Sequence, residues 1–321
     1  MSFFLQVNEI TKIEQGRAIV HPISFKQEKL QRIGIAGETG SGKSTLLKMI
    51  AGLIQPDGGA VFFNQEKVLG PLEQLLPGHP KIGYLSQHFE LRNNYRVEEL
   101  LAMSNRLSDD DAAIVYAICR IDHLMKRKND QISGGEKQRI ALAKLLITAP
   151  SLLFLDEPFS NLDRVHKQII QSVIDDICTQ LKITCILVSH DATDLLYWVD
   201  RLLIMKDGKI IQDGNPKQLY FHPANEYVAA LLGDYNLVDT SLHPAFEQLI
   251  GEGARGKKAM IRPEQFSINK EGLGLMGIVK RVLFFGSYYI IEVLLDGLII
   301  KIRTTAFQFY IGDKVFIQLS V

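Results

Sequence analysis

The sequence predicts an α/β domain with a mainly parallel sheet, followed by a small all-β barrel. Three observations predict it. Residues 1 to about 233 alternate short apolar runs with longer amphipathic segments, as strands and crossover helices do when they take turns along a chain. A glycine-rich turn joins the first apolar run of that pattern to its first amphipathic segment. Beyond Leu232-Gly233 the helical periodicity gives way to short apolar runs separated by turn residues.

Each element follows from its residues. Ile33–Ala36 is read as a strand feeding the glycine-rich turn, and the helix after it carries Leu46, Leu47, Ile50, Leu53 and Ile54 on one face. Pro56-Asp57-Gly58-Gly59 is a turn and Ala60–Phe63 the next strand. Ser151–Leu155 has the size of a buried strand. Ile169, Ile170, Val173, Ile174, Ile177 and Leu181 mark a long helix with one apolar stripe, and Ile183–Val188 follows as a β-branched strand closed by Ser189-His190. Farther on, Gly251–Lys258, rich in glycine and charge, is a loop. Tyr288–Leu295 and Leu298–Arg303 flank Asp296-Gly297, a dipeptide suited to a hairpin turn with positive φ at both central residues. Gly312-Asp313 and Lys314–Leu319 supply a further turn and strand. The domains expected are 1–235 and 236–321.

Bulk properties narrow the function classes. At 321 residues the chain accommodates about two domains. Lys plus Arg equals Asp plus Glu, at 36 each, so no net positive field draws a nucleic-acid backbone. Cys119, Cys178 and Cys185 show no CxxC spacing, which suits buried thiols in a reducing compartment rather than a disulfide framework. The segment Met1 to Gln6 lacks a basic start and an apolar stretch of signal length, and no apolar run approaches the ~20 residues that span a bilayer. A membrane role is therefore expected only through a partner.

Three motifs carry chemistry. Gly37-Glu38-Thr39-Gly40-Ser41-Gly42-Lys43-Ser44, followed by Thr45, fits GxxxxGK[ST] between a predicted strand and a predicted helix. Its glycines let backbone N–H groups converge on phosphates at a helix N-terminus, Lys43 reaches the β- and γ-phosphates, and Ser44 ligates Mg²⁺. With glycine near 7% of residues, a chance match in such a length is on the order of one in a hundred. Leu152–Leu155 is an apolar strand ending in Asp156, placed to hold Mg²⁺ through its water shell, and Glu157, the candidate that activates the attacking water. Ser133-Gly134-Gly135-Glu136, ahead of the helix-like Ile140–Ile147, reads as a helix cap and as a second anion-binding nest.

Together these segments resemble the ATP-binding cassette (ABC) ATPases, a P-loop NTPase family. Gly37–Ser44 resembles the Walker A loop, Ile132–Glu136 the LSGGQ signature, Leu152–Glu157 the Walker B strand, Ser160-Asn161-Leu162-Asp163 the D-loop, His190 the switch histidine and Tyr84-Leu85-Ser86-Gln87 the Q-loop. The resemblance spans residues ~5–232 and implies a helical subdomain at roughly 88–150. It implies that Gln87 contacts Mg²⁺ and couples the nucleotide to a membrane partner, that His190 bridges the water of Glu157 and the γ-phosphate, and that residues 133–136 contact nucleotide. His88 has no such support and is read as a surface or packing residue. Two departures stand out. The signature ends in Glu136 rather than glutamine, and Glu14 occupies the place of the usual adenine-stacking aromatic, an interaction worth ~1–3 kcal/mol by analogy with nucleic-acid platforms.

The C-terminal part resembles the TOBE, OB-like domain of importer ATPases through Ile261-Arg262-Pro263-Glu264 and the stretch from Gly277-Ile278-Val279 to Phe285-Gly286. The implied protein is the cytoplasmic, peripheral ATPase subunit of an ABC importer. It would use ATP and Mg²⁺ as a homodimer on a transmembrane permease, together with an external solute-binding protein. Two alternatives stay open: an ABC ATPase with no transport role, and an ATP-regulated module whose barrel stacks oligonucleotide bases on Tyr288 or Tyr289, which a strand points to opposite faces.

Overall fold

Unbroken apolar runs become strands buried on both faces, and the Leu152–Leu155 and Cys185–Val188 runs are each fully covered. The computed structural model describes residues 3–87, 91–92, 94–250, 257–272 and 274–320, divided into two compact units, Met1–Pro216 and Lys217–Val321. His88 and most of the Gly251–Lys258 loop lie outside the described residues.

The first unit runs β1 (Leu5–Glu14), β2 (Arg17–Gln27), β3 (Arg32–Ala36), α1 (Lys43–Ile50), β4 (Gly58–Phe63), β5 (Glu66–Lys67) and β6 (Ile82–Leu85). It continues through α2 (Val97–Ala102), α3 (Asp109–Ile118), α4 (Gly134–Leu146), β7 (Leu152–Asp156), α5 (Arg164–Thr179), β8 (Thr184–Ser189), β9 (Arg201–Lys206) and β10 (Lys209–Gly214). A six-stranded sheet has the order β10-β9-β3-β8-β7-β6, with β3, β6, β7, β8 and β9 parallel and β10 an antiparallel edge. In an open parallel sheet, ligands bind beyond the carboxyl ends of the strands. Those ends deliver the phosphate loop after β3, Gln87 after β6, Asp156 and Glu157 from β7, and His190 after β8. The helices α2, α3 and α4 fall in the stretch expected to form a helical subdomain.

A second sheet, β2-β1-β4-β5, is antiparallel and went unforeseen in the sequence. Its strands share a buried core with α1, including Leu5, Val7, Ile10, Val61, Phe63, Leu46 and Leu47. The Pro56–Gly59 turn is corrected in part, because Gly58 and Gly59 belong to β4. At Gly59 the backbone takes φ +76°, and a Cβ there would lie 2.3 Å from the Asn8 carbonyl oxygen. Glycine is needed for that close approach, where the β1–β4 register shifts.

The second unit opens with α6 (Pro216–Phe221, whose first residue is the last of the first unit) and α7 (Glu226–Leu232), so the units divide ahead of the 235/236 boundary expected from the sequence. Then come β11 (Asn236–Asp239), α8 (Glu247–Ile250), β12 (Lys258–Ile261), β13 (Phe266–Asn269), β14 (Leu275–Phe284), β15 (Tyr289–Leu295), β16 (Leu298–Thr304) and β17 (Lys314–Leu319). Five of them form an antiparallel half-barrel of order β13-β17-β14-β15-β16, and β11 pairs with β12. The β15–β16 hairpin turns at Asp296 and Gly297, with φ +48° and +79°. Arg262, only 1% exposed, donates to the carbonyls of Tyr220, Ala229, Gly233 and Asp234 and so satisfies the C-terminal ends of α6 and α7.

Candidate functional site

The phosphate loop leaves β3 and enters α1 through Gly42, which has φ +95° and whose absent Cβ would sit 2.9 Å from the Ile19 carbonyl oxygen. No side chain caps α1, so its first-turn amides face the loop, an arrangement that favours an anion. Lys43 is 5% exposed, and its Nζ donates to the carbonyls of Gly37 at 2.7 Å and Glu38 at 2.8 Å and to Ser41 Oγ at 3.3 Å. Burial pulls its pKa below the usual lysine value, opposed by the charges of Glu157, Asp156 and Glu38. A largely buried ammonium in the first turn of a helix is a strong electrostatic match for phosphate oxygens.

Asp156 is 3% exposed, and each of its carboxylate oxygens accepts a hydrogen bond. Ser44 Oγ donates to Oδ1 at 2.9 Å, and the Tyr84 hydroxyl donates to Oδ2 at 2.7 Å. Glu157 follows at φ +53°, a left-handed conformation that strains a glutamate and recurs at functional sites. Its amide donates to the Val188 carbonyl at 3.0 Å, and its Oε2 accepts from Ser160 Oγ at 3.1 Å and lies 2.6 Å from His190 Nδ1. The glutamate side chain is 10% exposed and the histidine 54%, so the pair joins a covered carboxylate to a solvent-facing ring.

One cleft of about 320 Å³ is lined by Ile19, residues of the phosphate loop, Gln87, Glu157 and His190, while Asp156 reaches it only through its bond to Ser44. A second cleft of about 230 Å³ adjoins the Glu157–His190 pair and adds Ser160, Asn161, Lys167 and Asp194. The Ser133–Glu136 turn lines neither cleft. Ser133 caps α4: its Oγ accepts the Glu136 amide, while its own amide and hydroxyl donate to Glu136 Oε2 at 2.9 and 2.8 Å. The Ser133 amide is the main cause holding the Glu136 carboxyl below its usual pKa. Glu136 therefore completes a capping box, and its carboxylate is turned back on the turn it caps. Gly135 packs under His166, which hydrogen-bonds Asp163 of the D-loop at 2.8 Å, whereas Gly134 opens onto empty space.

Glu14 ends β1 at the hairpin Gln15-Gly16 and pairs with Arg17, while Ile19 supplies the apolar side chain that lines the cleft. Sequence reasoning missed Ile19 and gave Tyr84 and Ser160 no individual role. Only the tertiary pairing of β6 with β7 reveals the first of those two as a partner of Asp156. The donors around Ser44, Asp156 and Gln87 are oxygens, as Mg²⁺ requires. Among the described residues no group of three or more His, Cys, Asp or Glu is arranged to hold a metal. Among the described residues, no helix is long and apolar enough to cross a membrane.

A family model described as ABC transporter matches residues 20–160, and one described as TOBE domain matches residues 259–320. The chain is 30% identical over 323 residues to the Fe(3+) ions import ATP-binding protein FbpC 2 of Rhodococcus jostii (strain RHA1), covering 92% of this chain and 89% of that protein. It is 28% identical to the sulfate/thiosulfate import ATP-binding protein CysA of Synechocystis sp., covering 90% and 84%. Among solved structures, the ADP conformation of MJ1267, an ATP-binding cassette of an ABC transporter, superposes with TM-score 0.61 at 22% identity, covering 72% of this chain and 99% of that one. With both matches in sequence order and near-complete coverage of its relatives, the chain belongs to the family of ABC transporter ATP-binding proteins and carries a TOBE domain.

Proposed function

We propose that this chain binds Mg²⁺-ATP on residues 37–45 and hydrolyses it to drive solute import, as the cytoplasmic motor subunit docked on a transmembrane permease. The observation that carries the reading is the Glu157–His190 pair facing the Lys43 loop across a single cleft. Glu157 accepts a proton from water as the new bond to the γ-phosphorus forms and the bridging bond to ADP breaks, releasing phosphate. His190 orients that carboxylate and bridges to the γ-phosphate. Lys43 exchanges its own loop carbonyls for β- and γ-phosphate oxygens. When bound, the metal supplies positive charge to those oxygens, and Ser44, Asp156 and Gln87 would hold it.

The Ser133–Gly135 turn lines neither this cleft nor the one beside it, which supports two chains sandwiching two ATP molecules head to tail. The signature of each would then close on the γ-phosphate bound by the other, so that ATP favours the closed pair and hydrolysis releases it. Gln87 carries that change to the permease, and a solute-binding protein outside the cell delivers the cargo. The two named relatives, an Fe(3+) ions and a sulfate/thiosulfate import protein, support an import role. The test is hydrolysis by purified protein with magnesium: Lys43→Ala is expected to lose nucleotide binding and turnover together. Unchanged nucleotide affinity in that variant contradicts the reading.

One observation favours a second reading. The exposed rings of Phe284, Phe285, Phe307 and Tyr310 on the second unit are chemically able to stack bases. Salt-sensitive oligonucleotide binding that is lost on Phe307→Ala would support that module; none is expected from a chain whose formal net charge is zero.

A further inference from the structure

The buried carboxylate of Asp156 has two different partners. Ser44, on Oδ1, already belongs to the phosphate loop. Tyr84, on Oδ2, has no part in the chemistry proposed above. It comes from β6, which runs parallel to β7 with Tyr84 opposite Phe154 and Leu85 opposite Leu155. The half-buried ring packs against the core that contains Phe154 and reaches past it to the end of β7.

We propose that Tyr84 is a positioning residue for the metal. Its hydroxyl pins Oδ2, so that Oδ1 is the edge Asp156 presents to Ser44 and to the cation. This rests on the reading of Asp156 as a metal-holding residue. Carboxylates that hold metals are themselves oriented by hydrogen bonds, and loss of such an outer partner typically weakens metal affinity 10–100-fold. The placement has a second consequence. Tyr84 lies three residues before Gln87, so one short strand sets both the residue assigned to the permease and the orientation of Asp156. A movement of β6 therefore reaches the metal and the permease face together.

The test titrates Mg²⁺ into the ADP-bound chain by calorimetry and compares wild type with Tyr84→Phe, which keeps the ring and its packing. We expect about tenfold weaker Mg²⁺ affinity, with the thermal midpoint of the metal-free chain and its metal-free ADP affinity unchanged. In an Asp156→Asn background, Tyr84→Phe should add less than about a further twofold, because the oriented group is already altered. Unchanged Mg²⁺ affinity overturns the proposal, and so does an equal loss in both backgrounds. If Asp156→Asn alone leaves Mg²⁺ affinity intact, the metal reading of Asp156 fails and the proposal falls with it. Should Tyr84→Phe lower the metal-free thermal midpoint, Tyr84→Trp provides the same comparison with a ring that cannot reach Oδ2 as an O–H donor.

Discussion

Replacing Glu157 with glutamine separates binding from chemistry, and the structure sets the size of each effect. The amide has the shape of the carboxylate and the same Cβ, so the strain at φ +53° is unchanged. Its oxygen can still accept from Ser160 Oγ or face His190 Nδ1, but it loses the charge that strengthens the 2.6 Å contact. A hydrogen bond to a charged group contributes about 1.5–3 kcal/mol, and glutamine keeps part of it, so the folding cost should stay near 1 kcal/mol. The barrier is affected more. A positioned general base contributes about 10²–10⁴ in rate, equivalent to roughly 3–5 kcal/mol. Nucleotide affinity should change less than about threefold, because the proposed phosphate grip rests on residues 37–45 rather than on Glu157. Single-turnover phosphate release measures the first effect and binding of a fluorescent ATP analogue the second. Turnover within tenfold of wild type would refute the assignment of Glu157 as the base, whatever the affinity.

Further perturbations test the supporting structure. Ser133→Ala removes the N-cap of α4 and should cost about 1 kcal/mol in chemical denaturation; an unchanged midpoint would contradict the capping box. Gly42→Ala forces a Cβ into a left-handed residue, about 1–2 kcal/mol, and against the Ile19 carbonyl oxygen 2.9 Å away, so both stability and ATP binding should fall. Glu73 accepts hydrogen bonds from Lys67 first, then from the Gly70 amide and Gln55, and these hold its carboxyl at about 2 rather than 4.5. Because the folded value is depressed, its contribution is complete above about 4.5 and is lost as pH falls through about 2. A carbon-13 carboxyl titration should place the midpoint near 2, and an ordinary midpoint would show that the Lys67 contact does not persist in solution.

Much of this site was legible because its chemistry is local in the chain. The turn of residues 37–45 at the start of α1 is written in consecutive residues, and so is the apolar strand that ends in Asp156 and Glu157. The capping of α4 by Ser133 was readable for the same reason. The bond from Tyr84 to Asp156 was not, since it depends on which strand lies beside β7 across 72 residues of sequence. The antiparallel sheet of β1, β2, β4 and β5 was hidden too, because its alternation is broken by register shifts in β1. The bonds of the Glu136 carboxylate to the Ser133 amide and hydroxyl follow from the capping spacing of the two residues.

The sandwich itself is tested most directly by the solution mass of the Glu157→Gln chain with saturating Mg²⁺-ATP. A Cβ at Gly134 would meet nothing within 4 Å, so Gly134→Glu should fold normally while placing a charge where the partner's γ-phosphate must dock. The account predicts a dimer for Glu157→Gln with ATP, and monomers with ADP or when Gly134→Glu is added. A Glu157→Gln chain that binds ATP fully yet stays monomeric, or a dimer indifferent to Gly134→Glu, would contradict it.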